Sequence, residues 1–250
     1  MHNKKVNAYE NLEKETVIMN LQIIHEDNDL ILCYKPAGVA TQTKRLGQQD
    51  MESLLKNYRA KKGEAPYIGV VHRLDQPVEG LMVFAKNQKA AAALSKQVRE
   101  RLIGKYYYAV SAHIPTQPSG VLEDYLRTDK KTNVTSVVQP LDVEKGFATD
   151  HAQDMKQAKL EYRVLESNES GALFDIKLHT GRQHQIRVQL AHMGCPLVGD
   201  SKYGSMTANG TKTQLALCSY RLEFIHPTTR KVIDFSVKPQ GEVFAGFSII

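Results

Sequence analysis

The chain contains the stretch Val70-Val71-His72-Arg73-Leu74-Asp75-Gln76-Pro77-Val78-Glu79-Gly80-Leu81-Met82-Val83-Phe84-Ala85-Lys86, in which a polar island separates two apolar runs. Short apolar runs next to Pro and Gly are typical of strands. If the island begins in an extended conformation, Arg73 and Asp75 project to the same side, where a guanidinium favours an ionised carboxylate. Pro77 biases its predecessor away from helix and Gly80 relaxes the exit. The pattern therefore predicts a loop that holds Asp75 at a strand end.

The same stretch also has a purely structural interpretation. Asp75 and Gly80 would then supply a turn, and His72 would be a core histidine whose ring is satisfied by backbone groups. The stretch by itself leaves both interpretations open.

A second polar stretch extends from His179 to Gly204. Thr180 is a candidate cap for the helix that follows, and Arg182 lies at the predicted start of that helix. The amide groups and dipole of a helix start attract phosphate or carboxylate groups. This stretch is therefore a candidate binding segment.

The histidines of this stretch raise the hypothesis of a metal site. His179, His184 and His192 lack the i, i+4 spacing of ligands on one helix face, so we expect no metal. The three cysteines of the chain are far apart and contain no Cys-x-x-Cys pair, which indicates neither a disulfide framework nor a cysteine-rich zinc site.

The segment Lys105-Tyr106-Tyr107-Tyr108-Ala109-Val110 alternates as a strand. Alternation places Tyr107 on one face and its two tyrosine neighbours on the other. Strand aromatics usually pack in a core or across strands, so the segment alone assigns Tyr107 no function.

The remaining pattern predicts an α+β fold. Alternation over residues 160–178 predicts a hairpin, and strands follow one another directly more often than helices intervene. Three helices are predicted: one from Asp50 to near Gly63, one from Asn87 to about Arg101 with Gly104 as its stop, and one that closes at Gly194. A mixed or antiparallel sheet is therefore favoured over a doubly wound parallel sheet.

Composition limits the classes of function. The 250 residues carry a formal net charge of +6, which fits a polyanionic partner without selecting one. No apolar run is long enough to span a membrane, and the first residues lack the apolar core of a secretory signal, so we expect a cytoplasmic location. We expect an N-terminal extension over residues 1–20 and one catalytic domain over residues 21–250.

Five motifs occur in one order along the chain: Lys35-Pro36-x-Gly38 after a strand, His72-Arg73-Leu74-Asp75, Lys105-x-Tyr107-x-Ala109, Thr180-Gly181-Arg182-x-His184-Gln185-Ile186-Arg187 and Gly199-Asp200-x-x-Tyr203-Gly204. This order resembles that of the RluA-type pseudouridine synthases, and the likeness extends from about Ile23 to Pro239. The resemblance implies a central, largely antiparallel mixed sheet in two halves, with flanking helices and an active-site cleft between the halves. It also implies a compact member without a preceding RNA-binding domain.

The resemblance further implies an activity and the residues that perform it. The expected reaction converts selected uridines of a structured ribosomal or transfer RNA into pseudouridine, without a cofactor, an obligate protein partner or a membrane, in a monomer. Asp75 matches the catalytic nucleophile, Tyr107 the active-site tyrosine, and Arg182 a basic residue that pairs with the aspartate. Arg73 matches an arginine that helps to take the target nucleotide out of its helix. The other expected RNA contacts are Lys35, His72, His184 and Arg187.

One departure from the family pattern motivates two rival functions. Relatives usually have a Thr-Ser-Gly or Ser-Ser-Gly triplet where this chain has Val78-Glu79-Gly80. The first rival is a catalytically inactive RNA-binding module of the same fold. The second is a glycoside hydrolase that uses Asp75 and Glu79 as its acid and base pair. The absence of Trp and the basic charge disfavour the hydrolase.

Overall fold

The structure, a computed structural model, describes residues 21–45, 47–138, 154–204 and 213–248. The predicted N-terminal extension lies outside the described residues. Two polar segments of the sequence, 128–157 and 205–213, are predicted to make contacts specific to the target RNA. Parts of both segments also lie outside the described residues.

The described residues form one sheet with helices on both of its faces. Its strands are β1 (Gln22–Glu26), β2 (Leu30–Lys35), β3 (Gly69–Val70), β4 (Glu79–Ala85), β5 (Gly104–Ser111), β6 (Ser119–Asp129), β7 (Val134–Val138), β8 (Lys156–Asn168), β9 (Gly171–Leu178), β10 (Leu217–Ile225) and β11 (Val232–Ser236). The helices are α1 (Met51–Lys61), α2 (Gln88–Arg99), α3 (Gln185–His192) and a 3-10 helix (Glu242–Gly246).

The strand order is β1-β2-β4-β10-β5-β9-β8-β6-β7, with β3 added to β4 and β11 added to β10. Within the described ranges every pairing is antiparallel except that of β4 with β10, which run parallel. The predicted α+β class and the largely antiparallel mixed sheet are confirmed.

The β4–β10 pair is the seam between the two halves of the sheet. It contains two registered pairs, one of which places Gly80 opposite Ser219. Gly80 has a φ of +118°, and a Cβ atom there would lie 2.3 Å from the carbonyl oxygen of Ser219. Glycine is therefore required where the two halves meet, just after the segment that carries Asp75.

The first two helices begin where they were predicted. Asp50 caps α1 and forms a capping box with Ser53, and Asn87 caps α2 through the amide of Ala90. The predicted stop of α2 at Gly104 is wrong. Arg101 takes the left-handed conformation, with a φ of 59°, and ends the helix three residues earlier, because the amide of the next residue reaches back to a carbonyl of the last turn.

Helix α3 corrects a second prediction. Its N-cap residue is His184 in the left-handed conformation, and no side chain caps it. Thr180 lies four residues earlier and donates its hydroxyl to Gln185 Oε1 at 2.8 Å, so the predicted Thr180 cap is wrong. The predicted end of the helix is confirmed, because Gly194 has a φ of 87° just after it.

The main core fills one face of the sheet and extends across the seam. It includes Met51 and Leu55 of α1, Ile186 and Leu190 of α3, and Tyr107 of β5, all in one buried cluster. Helix α2 packs on the opposite face in a separate cluster with β2 and β4. Helices α1 and α3 therefore share the face on which the cleft opens.

Candidate active site

Asp75 lies between β3 and β4 in a cleft of about 960 Å³. The walls come from the segment before α1, the end of α2, strand β5 and the segment that enters α3. The predicted cleft between the two halves is therefore present, with Asp75 in it.

The backbone around Asp75 is fixed on both sides. On one side, the Thr41 hydroxyl donates to the carbonyl of Leu74 at 2.9 Å and accepts from its amide at 3.2 Å. On the other side, the amide of Gly38 donates to the carbonyl of Gln76 at 2.8 Å, and the Gln76 side chain donates to the carbonyl of Gly38 at 2.9 Å. These pairs hold the carboxylate on a rigid loop.

Lys35 was predicted to contact RNA, and the structure contradicts this. Its side chain is fully buried, and Nζ donates to the carbonyls of Pro36, Val39 and Gln76 at 3.0, 2.7 and 3.1 Å. Burial lowers the pKa of Lys35 to about 8, against the raising influence of Asp75 and Glu79. An ammonium group with three donors matches these three acceptors, so Lys35 fastens the Asp75 loop from within.

His72 was also predicted to contact RNA, but its ring serves the backbone. Its Nε2 accepts from the amide of Val83 at 3.1 Å, and burial followed by the charge of Lys105 lowers the pKa of His72 to about 3. A neutral imidazole that accepts from an amide matches the structural interpretation of this residue, although the ring borders the cleft.

Arg187 is the arginine beside the Asp75 carboxylate. Its Nη1 lies 3.8 Å from Asp75 Oδ2, while Nε and Nη2 form a bidentate pair with Asp200 at 2.8 and 2.6 Å. Burial lowers the pKa of Arg187, but Asp200 and then Asp75 outweigh it, so the pKa is raised. One buried guanidinium thus spans two carboxylates, and Arg187 is a partner of Asp75 where an RNA contact was predicted.

Among the described residues, Arg182 does not form the predicted ion pair with Asp75, which instead lies beside His184 and Arg187. Arg182 lies in the cleft wall, and its Nε donates to the carbonyl of Gln157 at 2.9 Å. The reason is that α3 begins at Gln185, so Arg182 belongs to the segment before the helix while Arg187 lies in its first turn.

His184 is the second group beside Asp75. Its Nε2 lies 3.7 Å from Asp75 Oδ2, and its Nδ1 lies 2.7 Å from the Tyr203 hydroxyl. The Tyr203 oxygen accepts from the amide of Thr135, so its proton is free to be donated to Nδ1, which leaves the His184 proton on Nε2 facing Asp75. Burial is the main cause that lowers the pKa of His184, which favours this neutral form.

Tyr107 lies in the cleft wall as predicted, on the opposite face of β5 from Tyr108, which stacks on Tyr220 at 3.7 Å. Its side chain is buried, and burial followed by the charge of Asp75 raises its pKa. Tyr107 therefore contributes a neutral phenol to the cleft wall.

The cleft is strongly basic. Among the described residues Asp75 is the sole carboxylate of its lining, against eight Lys and Arg residues: Arg45, Arg73, Arg99, Arg101, Lys105, Arg182, Arg187 and Lys202. Arg73 is exposed, and no ion pair joins it to Asp75 in the part of the chain that the structure describes. The expected Arg73–Asp75 interaction is thus replaced by that of Arg187.

Glu79 faces away from the cleft. Its side chain is buried, and Oε1 accepts from the amide of Gly241 at 3.0 Å next to the Tyr34 hydroxyl. Glu79 thus anchors the segment before the 3-10 helix and does not line the cleft with Asp75. The acid and base pair of the hydrolase alternative is therefore not assembled.

The candidate metal ligands of the described residues lie elsewhere. Asp27, Asp29 and His226 group their ligand atoms within 4.8 Å. However, His226 Nδ1 accepts from two backbone amides, so Nε2 carries the proton and donates to Asp27 at 2.9 Å. A protonated nitrogen cannot ligate a metal, and this group closes a turn.

Two residues of the site were missed by sequence reasoning. Asp200 holds Arg187, and Tyr203 holds His184. Their motif, Gly199-Asp200-x-x-Tyr203-Gly204, was recognised without a role. The sequence signal that could have identified them is an Asp that directly follows a glycine and lies three residues before a tyrosine.

The fold and the cleft are those of the RluA-type synthases, a class of isomerases. The chain belongs to the RNA pseudouridylate synthase family, whose sequence pattern matches residues 29–192. It is 34% identical over 220 residues to the uncharacterized RNA pseudouridine synthase YhcT of Bacillus subtilis, which covers 85% of this chain and 67% of that protein. It is 35% identical over 186 residues to the ribosomal large subunit pseudouridine synthase D of Haemophilus ducreyi, covering 74% of this chain and 53% of that one.

A solved structure has the same fold. Human RNA pseudouridylate synthase domain containing 4 superposes with a TM-score of 0.69 at 24% identity, over 88% of this chain and 89% of that chain. This chain therefore spans about two thirds or less of the length of these two relatives and most of the length of that solved structure. No described helix is long and apolar enough to cross a membrane.

Proposed function

We propose that this chain converts selected uridines of a structured RNA into pseudouridine, with Asp75 as nucleophile. The observation that carries the proposal is that the cleft lining, among the described residues, contains a single carboxylate, and its other charged residues are Lys and Arg. Such a cleft attracts a polyanion and presents one reactive oxygen pair to it.

The reaction breaks the bond between ribose C1′ and uracil N1, turns the base over, and joins C1′ to C5. C5 loses its proton and N1 takes one up, so the product has the same atoms as the substrate. No electrons are gained or lost, so no redox cofactor is needed. An ionised carboxylate can add to the sugar carbon, add to the base, or stabilise a sugar cation. All three routes use the same atoms of Asp75, and Arg187 favours the ionised form.

The other cleft residues support this chemistry. The target nucleotide leaves its stack at a cost of roughly a few kcal/mol, and the Tyr107 ring replaces part of the lost stacking. Arg73 is exposed and lines the cleft, which supports the proposal that it fills the space that the base leaves. The neutral Tyr107 phenol is a hydrogen-bond donor or proton carrier for the base or ribose.

Ribosomal RNA and transfer RNA are the proposed substrate classes. The name of the Haemophilus ducreyi relative specifies the large ribosomal subunit, which supports the first. We further propose that the chain acts in the cytoplasm as a monomer without a cofactor or an obligate protein partner.

Tritium release tests this function. Total RNA is labelled with [5-³H]uracil in a strain that lacks the gene and is then incubated with the purified protein. Formation of the C1′–C5 bond expels the label into water. The wild-type protein should release tritium in proportion to its target sites, and Asp75→Asn should release none. If the wild-type protein binds the RNA and releases no tritium, the inactive binding module replaces the enzyme.

A further inference from the structure

Three cations that have no acidic partner among the described residues meet at one end of the cleft. Arg101 follows α2, Lys105 lies on β5, and Arg182 precedes α3, and all three line the cleft. Lys105 Nζ lies close to Gly181, where an added Cβ atom would come within 3.2 Å of it. Three separate elements thus bring their positive charges together.

The charges of this cluster, defined as Arg101, Lys105 and Arg182, are not neutralised. Across the described ranges, neither an ion pair nor a hydrogen bond involves Lys105 Nζ, and Arg182 bonds through Nε alone, which leaves both of its terminal nitrogens unbonded. Burial and then the charge of Arg182 lower the pKa of Lys105, and burial and then Arg101 lower that of Arg182. Repulsion of this kind destabilises the unbound protein, which indicates a role in binding an anion.

The position of the cluster fits one part of the substrate. Lys105 and Tyr107 lie two residues apart on β5 and face the same side of the sheet, so they are separated by about 7 Å. A nucleotide whose base contacts Tyr107 and whose ribose meets Asp75 carries its phosphate within that reach.

Arg101 supports this assignment. It occupies a left-handed position at the end of α2, with a φ of 59°, where glycine is the usual and less strained residue. Its side chain is exposed and borders the cleft, so its charge does not stabilise the fold through a buried contact.

We propose that Arg101, Lys105 and Arg182 form a binding site for the phosphodiester group next to the target nucleotide. The proposal rests on the function proposed above and reassigns Arg182 from the catalytic carboxylate to the RNA backbone. A lysine with a guanidinium fork beside it is a common arrangement for phosphate oxygens.

Salt-dependent binding tests the site without any need for catalysis. The probe is a fluorescein-labelled dodecamer of uridylate, titrated between 50 and 500 mM salt. Each phosphate contact on a single strand contributes about 0.7 to the slope of log affinity against log salt. Lys105→Met and Arg182→Gln should each reduce the slope by about 0.7, so the affinity gap to wild type should narrow about fivefold over this range.

Matched variants distinguish a specific phosphate-binding site from a general effect of positive charge on RNA binding. Lys105→Arg keeps the charge and should restore the slope. Arg230→Gln removes an exposed arginine that also has a positive φ, of 63°, but does not line the cleft, and it should retain the wild-type slope. A dodecamer with neutral methylphosphonate linkages should bind wild type and Lys105→Met equally weakly. Circular dichroism and thermal melting establish that each variant is folded.

The site is wrong if Lys105→Met and Arg182→Gln alter the slope no more than Arg230→Gln does. In the tritium assay, Lys105→Met should raise KM about tenfold or less while kcat falls less than about threefold, because the lost contact is made in both ground and transition states. If wild type releases no tritium and the slope still changes, the phosphate site stands and the proposed function fails. If wild type releases tritium and the slopes are equal, the function stands and the site fails.

Discussion

Arg182 and Arg187 belong to the same sequence motif but have different surroundings. Arg187 is buried between Asp75 and Asp200, whereas Arg182 lies half-buried in the cleft wall. Removing this buried guanidinium takes the bidentate partner from Asp200 and one of two neighbouring partners from Asp75.

We therefore expect Arg187→Gln to lower both stability and activity. Loss of the buried pair should reduce the free energy of unfolding by about 3–5 kcal/mol, and misplacement of Asp75 should lower kcat by about 100-fold or more. Urea unfolding and tritium release measure the two effects. Arg182→Gln should lose no stability, and an equal loss of stability in both variants would contradict this assignment.

We expect the lowered pKa of His72 to make the stability of the protein depend on pH. Burial lowers the pKa of His72 to about 3, from an ordinary value of 6.5. The unfolded state therefore binds a proton that the folded state refuses, so stability is full above pH 6.5 and is lost as pH falls below it. The loss from this group is about 1.4 kcal/mol per pH unit.

Urea unfolding between pH 7 and 4 measures this dependence. His72→Gln offers the amide of Val83 an uncharged acceptor and should flatten the decline relative to the wild type. Parallel declines in both proteins would rule out His72 as the cause.

The sequence predicted which residues lie in the cleft better than it predicted which side chains they contact. Asp75 and Tyr107 lie in the cleft as the motifs indicated, because a polar island and an alternating strand define positions that sequence shows directly. The exchange of Arg182 for Arg187 could not be foreseen, since it depends on the left-handed conformation of His184, which sets where α3 begins. Lys35 also could not be assigned correctly from sequence, because a lysine is usually exposed whereas the fold buries this side chain.

At the scale of elements, the Asp75 loop is held by the segment before α1. Thr41 satisfies both backbone groups of Leu74, the residue that precedes Asp75. Rigid support of this kind fixes the carboxylate relative to a bound ribose.

Thr41→Val should damage the loop without enlarging the space around it. It leaves the buried amide and carbonyl of Leu74 unpaired, at a cost of about 1–3 kcal/mol, and should lower kcat because Asp75 is held less firmly. Thr41→Ser keeps the hydroxyl and should stay close to the wild type in both unfolding and tritium release. If Thr41→Val matched Thr41→Ser, the hydroxyl would have no role in holding the loop.

The helices and the hairpin were predictable at this scale. The caps Asp50 and Asn87 and the turn after β8 are local features that sequence specifies. The end of α2 was predicted at Gly104 because glycine adopts the left-handed conformation more easily than arginine does. In the structure Arg101 adopts that conformation and ends the helix earlier.

At the scale of the whole molecule, the two halves are joined by the short parallel pairing of β4 with β10. These strands are far apart in the chain, so no local pattern could predict their pairing, and the likeness to a family supplied the two-half sheet. The cleft opens at this seam because both walls meet there.

Gly80→Ala tests the seam. A Cβ atom at Gly80 would lie 2.3 Å from backbone oxygen, so the substitution should prevent cooperative folding or separate the halves. Gly63→Ala is the matched control, since Gly63 also has a positive φ, of +74°, with nothing within 4 Å of the added atom. Gly63→Ala should lower the free energy of unfolding by about 1 kcal/mol. Thermal melts of the two variants then distinguish backbone strain at a positive φ from a steric clash across the seam. Similar melts would show that the seam tolerates a side chain.

The central claim is that Asp75 makes pseudouridine in cellular RNA. The most direct measurement maps pseudouridine across total RNA from cells with the gene intact, deleted, restored as wild type, and restored as Asp75→Asn. We predict at least one site that disappears on deletion, returns with the wild-type gene, and does not return with Asp75→Asn. If every site persisted in all four strains, or if Asp75→Asn restored the lost site, the account would be contradicted.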